Sequence, residues 1–255
     1  MEQTTSSSKR IIEEISLNAW PCLRQILYDG WILRFANGYT RRANSVNPIY
    51  PGSLNVAEKI MGCEQIYQDR QQTPIFKITP FVHPPNLDAF LAEAGYHKNA
   101  PTSVQWLDLA TLSPQDRTGV EQWETPTEVW IDEYTRMNQV LAANRATLEA
   151  ILNSINPKSC FMILQDEGQT VACGLGVLEG QYVGLFDIVT EPAHRGKGFG
   201  TRLILNILNW AKQHGATRAY LQVMLSNAPA LNLYAKLGFE EIYQYWYRVL
   251  PADVG

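Results

Sequence analysis

No window of this sequence approaches the roughly 18 consecutive apolar residues that a membrane-spanning helix requires. The first ten residues are polar and serine-rich, without an apolar core or a small-residue cleavage site, so no secretory leader is expected. Four cysteines (Cys22, Cys63, Cys160 and Cys173) are scattered with no C-x-x-C pair. That excludes a dense disulfide scaffold and predicts free, mostly buried thiols. The four histidines, His83, His97, His194 and His214, show no H-E-x-x-H or similar spacing, so no metal site is expected. Basic charge is short as well: 21 Lys+Arg stand against 25 Asp+Glu, a net −4, and no basic stripe runs through the chain. A nucleic-acid partner is therefore disfavoured. Together these absences predict a cytoplasmic protein with neither membrane nor nucleic-acid partners.

What is present is a core-forming composition. Hydrophobic residues make up 45% and aromatics 11%, too many for a disordered chain. At roughly 150 residues per domain, 255 residues allow one large domain or two small ones. Helical spacing runs from Arg10 to Leu27, interrupted by Pro21, and a strand is expected over residues 31–35. Asn37-Gly38 is a hairpin candidate leading to a partner strand over 39–46. A helix over 53–68 has Ser53 as its candidate N-cap, followed by a strand at 74–79, a helix at 86–93 and a strand at 103–109. Residues 112–126, rich in Ser, Pro, Thr, Gly and charge, form the linker candidate.

Beyond it, helices are expected over 128–141 and 146–155, then strands over 160–165, 171–178 and 182–189 separated by Glu167-Gly168 and Glu179-Gly180. A helix over 200–213, a strand over 219–224, a helix over 228–236 and a strand over 241–249 complete the chain. Three strands in succession suit an antiparallel meander, and the strand–helix–strand order that follows requires a crossover.

The stretch that carries chemistry follows Val189. Pro192 stops the strand, and Arg195-Gly196-Lys197-Gly198-Phe199-Gly200 forms a basic, glycine-rich turn into the next helix. Three glycines in five residues let the backbone approach a ligand and aim successive N–H groups at it. The helix N-terminus and the charges of Arg195 and Lys197 suit a phosphate or pyrophosphate. The pattern matches neither a Walker A loop nor a dinucleotide G-x-G-x-x-G. Taken alone, a helix-entry turn that is merely basic explains it equally well.

Arg195-x-x-Gly198-x-Gly200, preceded by a strand and a proline, resembles the pyrophosphate signature of the GNAT N-acetyltransferase superfamily. Leu221 to Ala230, with its Asn227 turn, and Leu233-Tyr234-Ala235-Lys236-Leu237-Gly238-Phe239 resemble the second signature of that family. The resemblance covers about residues 120–249. It implies the acyl-CoA N-acyltransferase fold, an α/β architecture with a mixed, largely antiparallel sheet flanked by helices. It further implies acetyl-CoA as co-substrate and direct transfer of acetyl to a primary amine of a small molecule or peptide. By the same resemblance, backbone groups of Ile188 and Val189 hold the pantetheine arm. The pyrophosphate falls to Arg195, Gly196, Lys197, Gly198, Phe199, Gly200 and Thr201. Asn227 contacts the cofactor or shapes the turn beside it, and Tyr234 protonates the departing thiolate.

A thiolate leaving group with a thiol pKa near ~8.5 gains from an adjacent O–H donor. Packing on the face of Leu231, Tyr234 and Leu237 is the competing role for this tyrosine. An attacking amine also needs a base. Asp187 is nominated, with Glu191 as the alternative, although surface exposure is the default for either carboxylate. The aromatic run at residues 243–247 reads as core and cleft wall.

A fixed shift of 143 positions pairs Val46 with Val189, Ala92 with Ala235, Gly95 with Gly238 and Tyr96 with Phe239. The order of elements repeats under it, which suggests a tandem, diverged copy. In that register Gly52, Asn55 and Ala57 stand for Arg195, Gly198 and Gly200, and Leu91 stands for Tyr234. The expected organisation is thus a degenerate, non-catalytic domain over 1–112 and a catalytic domain over 113–255, with residues 52–57 an empty counterpart of the pyrophosphate loop. The cluster Arg34, Arg41 and Arg42 suits a carboxylate or phosphate of the acceptor, or simply an exposed polar hairpin. Two competing readings remain, a non-catalytic acyl-CoA-binding module and a transferase of longer acyl groups. A homodimer is compatible with any of them.

Overall fold

Pro21 cannot continue a helix, and the first element, α1 (Glu2–Ala19), ends just before it. A computed structural model describes residues 2–113 and 115–251, with side chains from residue 9 onward. After α1 come β1 (Arg24–Tyr28), β2 (Trp31–Phe35), β3 (Val46–Asn47), α2 (Val56–Gln68), β4 (Ile75–Ile78), α3 (Leu87–Glu93) and β5 (His97–Asp108). Then follow β6 (Val120–Trp123), α4 (Glu128–Met137), α5 (Ala142–Asn153), β7 (Lys158–Asp166), β8 (Gln169–Glu179) and β9 (Tyr182–Thr190). The chain closes with α6 (Phe199–Gln213), β10 (Arg218–Met224), α7 (Ala228–Lys236) and β11 (Glu240–Val249).

These elements form two compact units that interleave along the chain. One comprises the chain up to Pro21 together with residues 105–222 and 229–242. The other comprises 22–104, 223–228 and the chain from Tyr243 on. A break between 112 and 113 therefore describes neither unit. Both β5 and β11 are divided between the two, a long-range exchange that has no local sequence signal.

The larger unit has the strand order β6-β7-β8-β9-β10, with the end of β5 beside β10. Neighbours are antiparallel from β6 to β9, and β10 runs parallel to β9. A parallel pair needs a crossover, and α6 provides it. On one face, Trp130 of α4 is fully buried and donates its indole N–H toward the carbonyls of Met162 and Gly174, both at 3.2 Å. Burying a ring of that size contributes roughly 4–6 kcal/mol by area alone. Trp20, just after α1, stacks on Phe186 at 6.4 Å. On the other face α6 packs Leu203 and Ile207 against Gly174 and Gly176. The expected linker is partly structured: Val120–Trp123 pairs with β7, and Asn206 of α6 donates to the carbonyl of Asp116 at 3.1 Å.

The smaller unit has the order β1-β2-β3-β4, with residues 246–249 of β11 paired antiparallel to β4. Its core gathers Trp31, Leu33, Val46, Tyr67, Phe76 and Leu87 around α2. Residues 24–27, expected in the first helix, are strand instead. Asp29-Gly30, both at positive φ, makes a two-residue turn that registers Tyr28 against Trp31. Asn37-Gly38 is not a hairpin. Buried Asn44 accepts the N–H groups of Ala36 and Gly38 and donates to the carbonyls of Tyr39 and Thr40, holding 36–44 as an irregular loop. Arg41 and Arg42 lie in its short 3-10 turn, while Arg34 is buried and donates to the carbonyl of Arg42. The cap of α2 is Asn55, not Ser53: its side chain accepts the N–H of Ala57 at 2.9 Å.

The 143-position register is visible in the elements. It maps the N-cap Asn55 onto the N-cap Gly198, the first residue of β4 onto that of β10, and the last residue of α3 onto that of α7. Gly95 and Gly238, also paired, both have φ +87.

Candidate active site

Registered pairing between β9 and β10 ends at Leu185 and Leu221, and β9 continues for five more residues. Its edge toward β10 is thereby released from the ladder. On its other edge the register slips: Phe186 faces Leu175, but Val189 faces Cys173, so two residues oppose Gly174 alone. This is a β-bulge at Asp187-Ile188, with Asp187 at φ 51. The bulge breaks the simple alternation. Ile188 turns its side chain into the space above Gly174, beside Leu203 and Ile207 of α6. Burial and, secondarily, the Asp187 carboxylate push the Cys173 thiol well above its ordinary pKa. Asp187 itself is half-buried rather than a surface carboxylate.

Glu191 is committed elsewhere. Its carboxylate pairs with Arg136 of α4, which also bonds Glu133 at 2.7 Å. Glu133 and Glu191 together hold the Arg136 guanidinium above its ordinary pKa. The Glu191 N–H donates to the carbonyl of Val171, fixing the end of β9.

From there Pro192–His194 makes one 3-10 turn, and Arg195 donates through Nε to the carbonyl of Thr190 at 3.2 Å. Gly196 and Gly198 adopt φ 77 and 86 with open space where a Cβ would stand, so they serve the backbone conformation. Gly200 serves proximity: a Cβ there would come within 3.0 Å of Thr190 Oγ1. Gly198 caps α6 but brings no side-chain acceptor, and no acidic residue lies in the first turn. The first intrahelical bond runs from the N–H of Arg202 to the carbonyl of Gly198. The N–H groups of Phe199, Gly200 and Thr201 consequently have no acceptor within the helix. Exposed Arg195 and Lys197 stand next to these N–H groups, an arrangement of the kind that suits an anion.

Helix α7 adjoins that end through Leu233, 3.7 Å from the Cβ position of Gly200. Tyr234, the next residue, is buried at 9% exposure and contacts Phe239 edge-on at 5.8 Å. Its carbonyl accepts the N–H of Phe239, closing the helix over Gly238. Burial pushes its phenol up to about 12, so the hydroxyl keeps its proton through the neutral range. Asn227 lies in the turn before α7, where its N–H donates to the carbonyl of Met224. Thr190 and Arg136 were given no role from the sequence, and Leu233 only a place in the second signature. Two glycines inside an apolar strand, Gly174 and Gly176, were the available signal for the bulge.

A mixed sheet whose parallel pair parts beside a glycine-capped helix defines an acyltransferase fold. The family described as "Probable histone acetyltransferase Rv0428c C-terminal" matches residues 6–248. The chain belongs to that family, within the GNAT superfamily of N-acetyltransferases, and is an acyltransferase enzyme. It is 33% identical over 245 residues to an uncharacterized N-acetyltransferase, YobR, of Bacillus subtilis, covering 94% of this chain and 98% of that one. Among solved structures it is similar to a GCN5-related N-acetyltransferase from Kribbella flavida, with TM-score 0.72, 15% identity and 96% of both chains covered. A tandem GNAT protein from the clavulanic acid biosynthesis pathway is similar in fold, with TM-score 0.58, 19% identity, and 77% of this chain and 70% of that one covered. No helix among the described residues is long and apolar enough to cross a membrane.

Proposed function

We propose that this enzyme transfers the acetyl group of acetyl-CoA directly to a primary amine of a small molecule or peptide. The observation that carries the reading is the acid-free, glycine-capped start of α6 beside the released end of β9. Backbone N–H groups over residues 195–201, with Arg195 and Lys197, hold the pyrophosphate. Backbone groups of Ile188 and Val189 hold the pantetheine arm, and Asn227 shapes the turn beside it. When bound, acetyl-CoA supplies the thioester carbonyl that the amine attacks.

Tyr234 donates its hydroxyl proton to the sulfur as the C–S bond breaks, a role its raised pKa favours over ionisation. Asp187 takes the proton that the amine loses. It is preferred to Glu191 because that carboxylate is occupied by Arg136. The smaller unit is read as the non-catalytic partner in a tandem repeat, and the protein as cytoplasmic. The test is thiol release from acetyl-CoA across a panel of primary amines. Amine-dependent release that collapses in Tyr234→Phe supports the reading. Binding of acetyl-CoA without release, or faster release from longer thioesters, contradicts it.

A further inference from the structure

In the 143-position register, the pyrophosphate loop of the larger unit corresponds to residues 52–58 of the smaller one. That loop is not empty. The β1–β2 turn presents Asp29, whose carboxylate accepts the N–H of Ser53 at 2.8 Å, the N–H of Leu54 at 3.0 Å and the hydroxyl of Ser53 at 3.1 Å. Lys59, buried at 3% exposure, pairs with the same carboxylate at 3.0 Å and donates to the Asp29 carbonyl. Its ammonium also lies 4.2 Å over the ring of Trp31. A Cβ on Gly52 would fall 2.1 Å from Asp29 Oδ2 and 2.5 Å from Lys59 Nζ, so only glycine fits beside the pair. Two successive backbone N–H groups from the segment before α2 and a buried cation from its first turn therefore converge on one anion that the chain itself supplies. Asn55 also caps α2 with its own side chain, where Gly198 leaves α6 open.

We propose that Asp29 is a resident anion filling the phosphate cradle of the smaller unit, so that this half of the chain binds no CoA and the protein carries a single CoA site. The inference rests on the reading of the residue 195–201 loop as the CoA site. A carboxylate offers two oxygens and one negative charge to the donors that a phosphate would otherwise engage. Its removal leaves Lys59 buried without a counter-charge and two N–H groups open, which creates a demand for an external anion.

Titration of the full-length wild type with CoA is expected to give one equivalent bound. Two equivalents overturn the proposal, whereas none overturns the reading of the 195–201 loop and leaves the cradle to be judged by a second arm. There, Asp29→Gly, which tolerates the positive φ of the turn, is expected to lower the Tm by about 5 °C. Millimolar inorganic pyrophosphate should recover at least half of that loss, beyond the increment it gives the wild type at matched ionic strength. Asp29→Asn, which keeps an oxygen in the cradle, should show no such recovery. Absence of recovery in Asp29→Gly overturns the proposal. Asp29→Ala carries the same expectation should the glycine variant fail to fold.

Discussion

The side chain of Ile188 occupies the space that a Cβ on Gly174 would need: that atom would lie 2.5 Å from Ile188 Cδ1. The bulge at the end of β9 and the glycine in β8 are thus one feature. Leu203 and Ile207 of α6 close the same space at 3.2 Å, so the isoleucine has nowhere to retreat. Gly174→Ala is expected to cost ~1–3 kcal/mol in urea unfolding, the usual penalty for overpacking. Ile188→Val removes the colliding methyl, and the double variant should recover much of the loss. Strictly additive destabilisation would show that the two positions are independent.

Tyr234→Phe removes the proposed acid while keeping the ring against Phe239. Turnover is expected to fall by ~10²–10⁴-fold with CoA affinity and Tm nearly unchanged. Because burial raises the phenol to about 12, no alkaline loss of rate below pH ~11 should trace to this residue. A variant retaining most of its kcat would remove Tyr234 from the mechanism.

Alkaline pH should destabilise the fold in a defined window. Burial pushes the Cys63 and Cys160 thiols from 9.0 up to about 12. Unfolded thiols ionise near 9 while the folded ones stay protonated. Their contribution is therefore whole below pH 9 and is lost as pH climbs toward 12. Urea midpoints measured between pH 7 and pH 11 should fall above pH 9, and Cys160→Ala should flatten the decline. A midpoint that rises over this range would contradict the assignment.

In the smaller unit Arg248 of β11 grips Asp88 of α3 through two bonds, Nε to Oδ1 at 2.7 Å and Nη2 to Oδ2 at 2.9 Å. Trp246 donates to the same carboxylate at 2.8 Å. Asp88→Asn is expected to cost ~1–3 kcal/mol, since charge-assisted bonds to a half-buried group are lost. Arg248 holds the Asp88 carboxyl below its ordinary pKa of 3.8. The stabilisation is present above pH ~4 and is lost as pH falls through the folded value. A variant as acid-sensitive as the wild type would argue against this anchor.

Much of the architecture was legible because local signals and tertiary packing agree. Helix α7, bounded by Asn227 and Gly238, falls on the expected residues, and β7 to β9 follow their turn dipeptides. Reading failed where long-range partners decide. Ile26 fits a helical period, yet pairing with β2 makes its segment strand. The polar edge strand β6 looks like linker because only one side of it is paired, to β7. Asn44 organises its loop through contacts that no periodicity reveals. The glycine loop and Tyr234 were legible as motifs. The bulge at Asp187 and the occupied cradle at Asp29 were not, because each depends on a residue distant in sequence.

If the open N-terminus of α6 holds the CoA pyrophosphate, a negative charge placed there should weaken CoA binding. The measurement is calorimetric titration of CoA into the wild type and Gly198→Asp. The new carboxylate meets the free N–H groups of α6 and repels the phosphates, so the account predicts affinity at least tenfold weaker, about 1.4 kcal/mol or more. A folded Gly198→Asp variant that binds CoA as tightly as the wild type would contradict it.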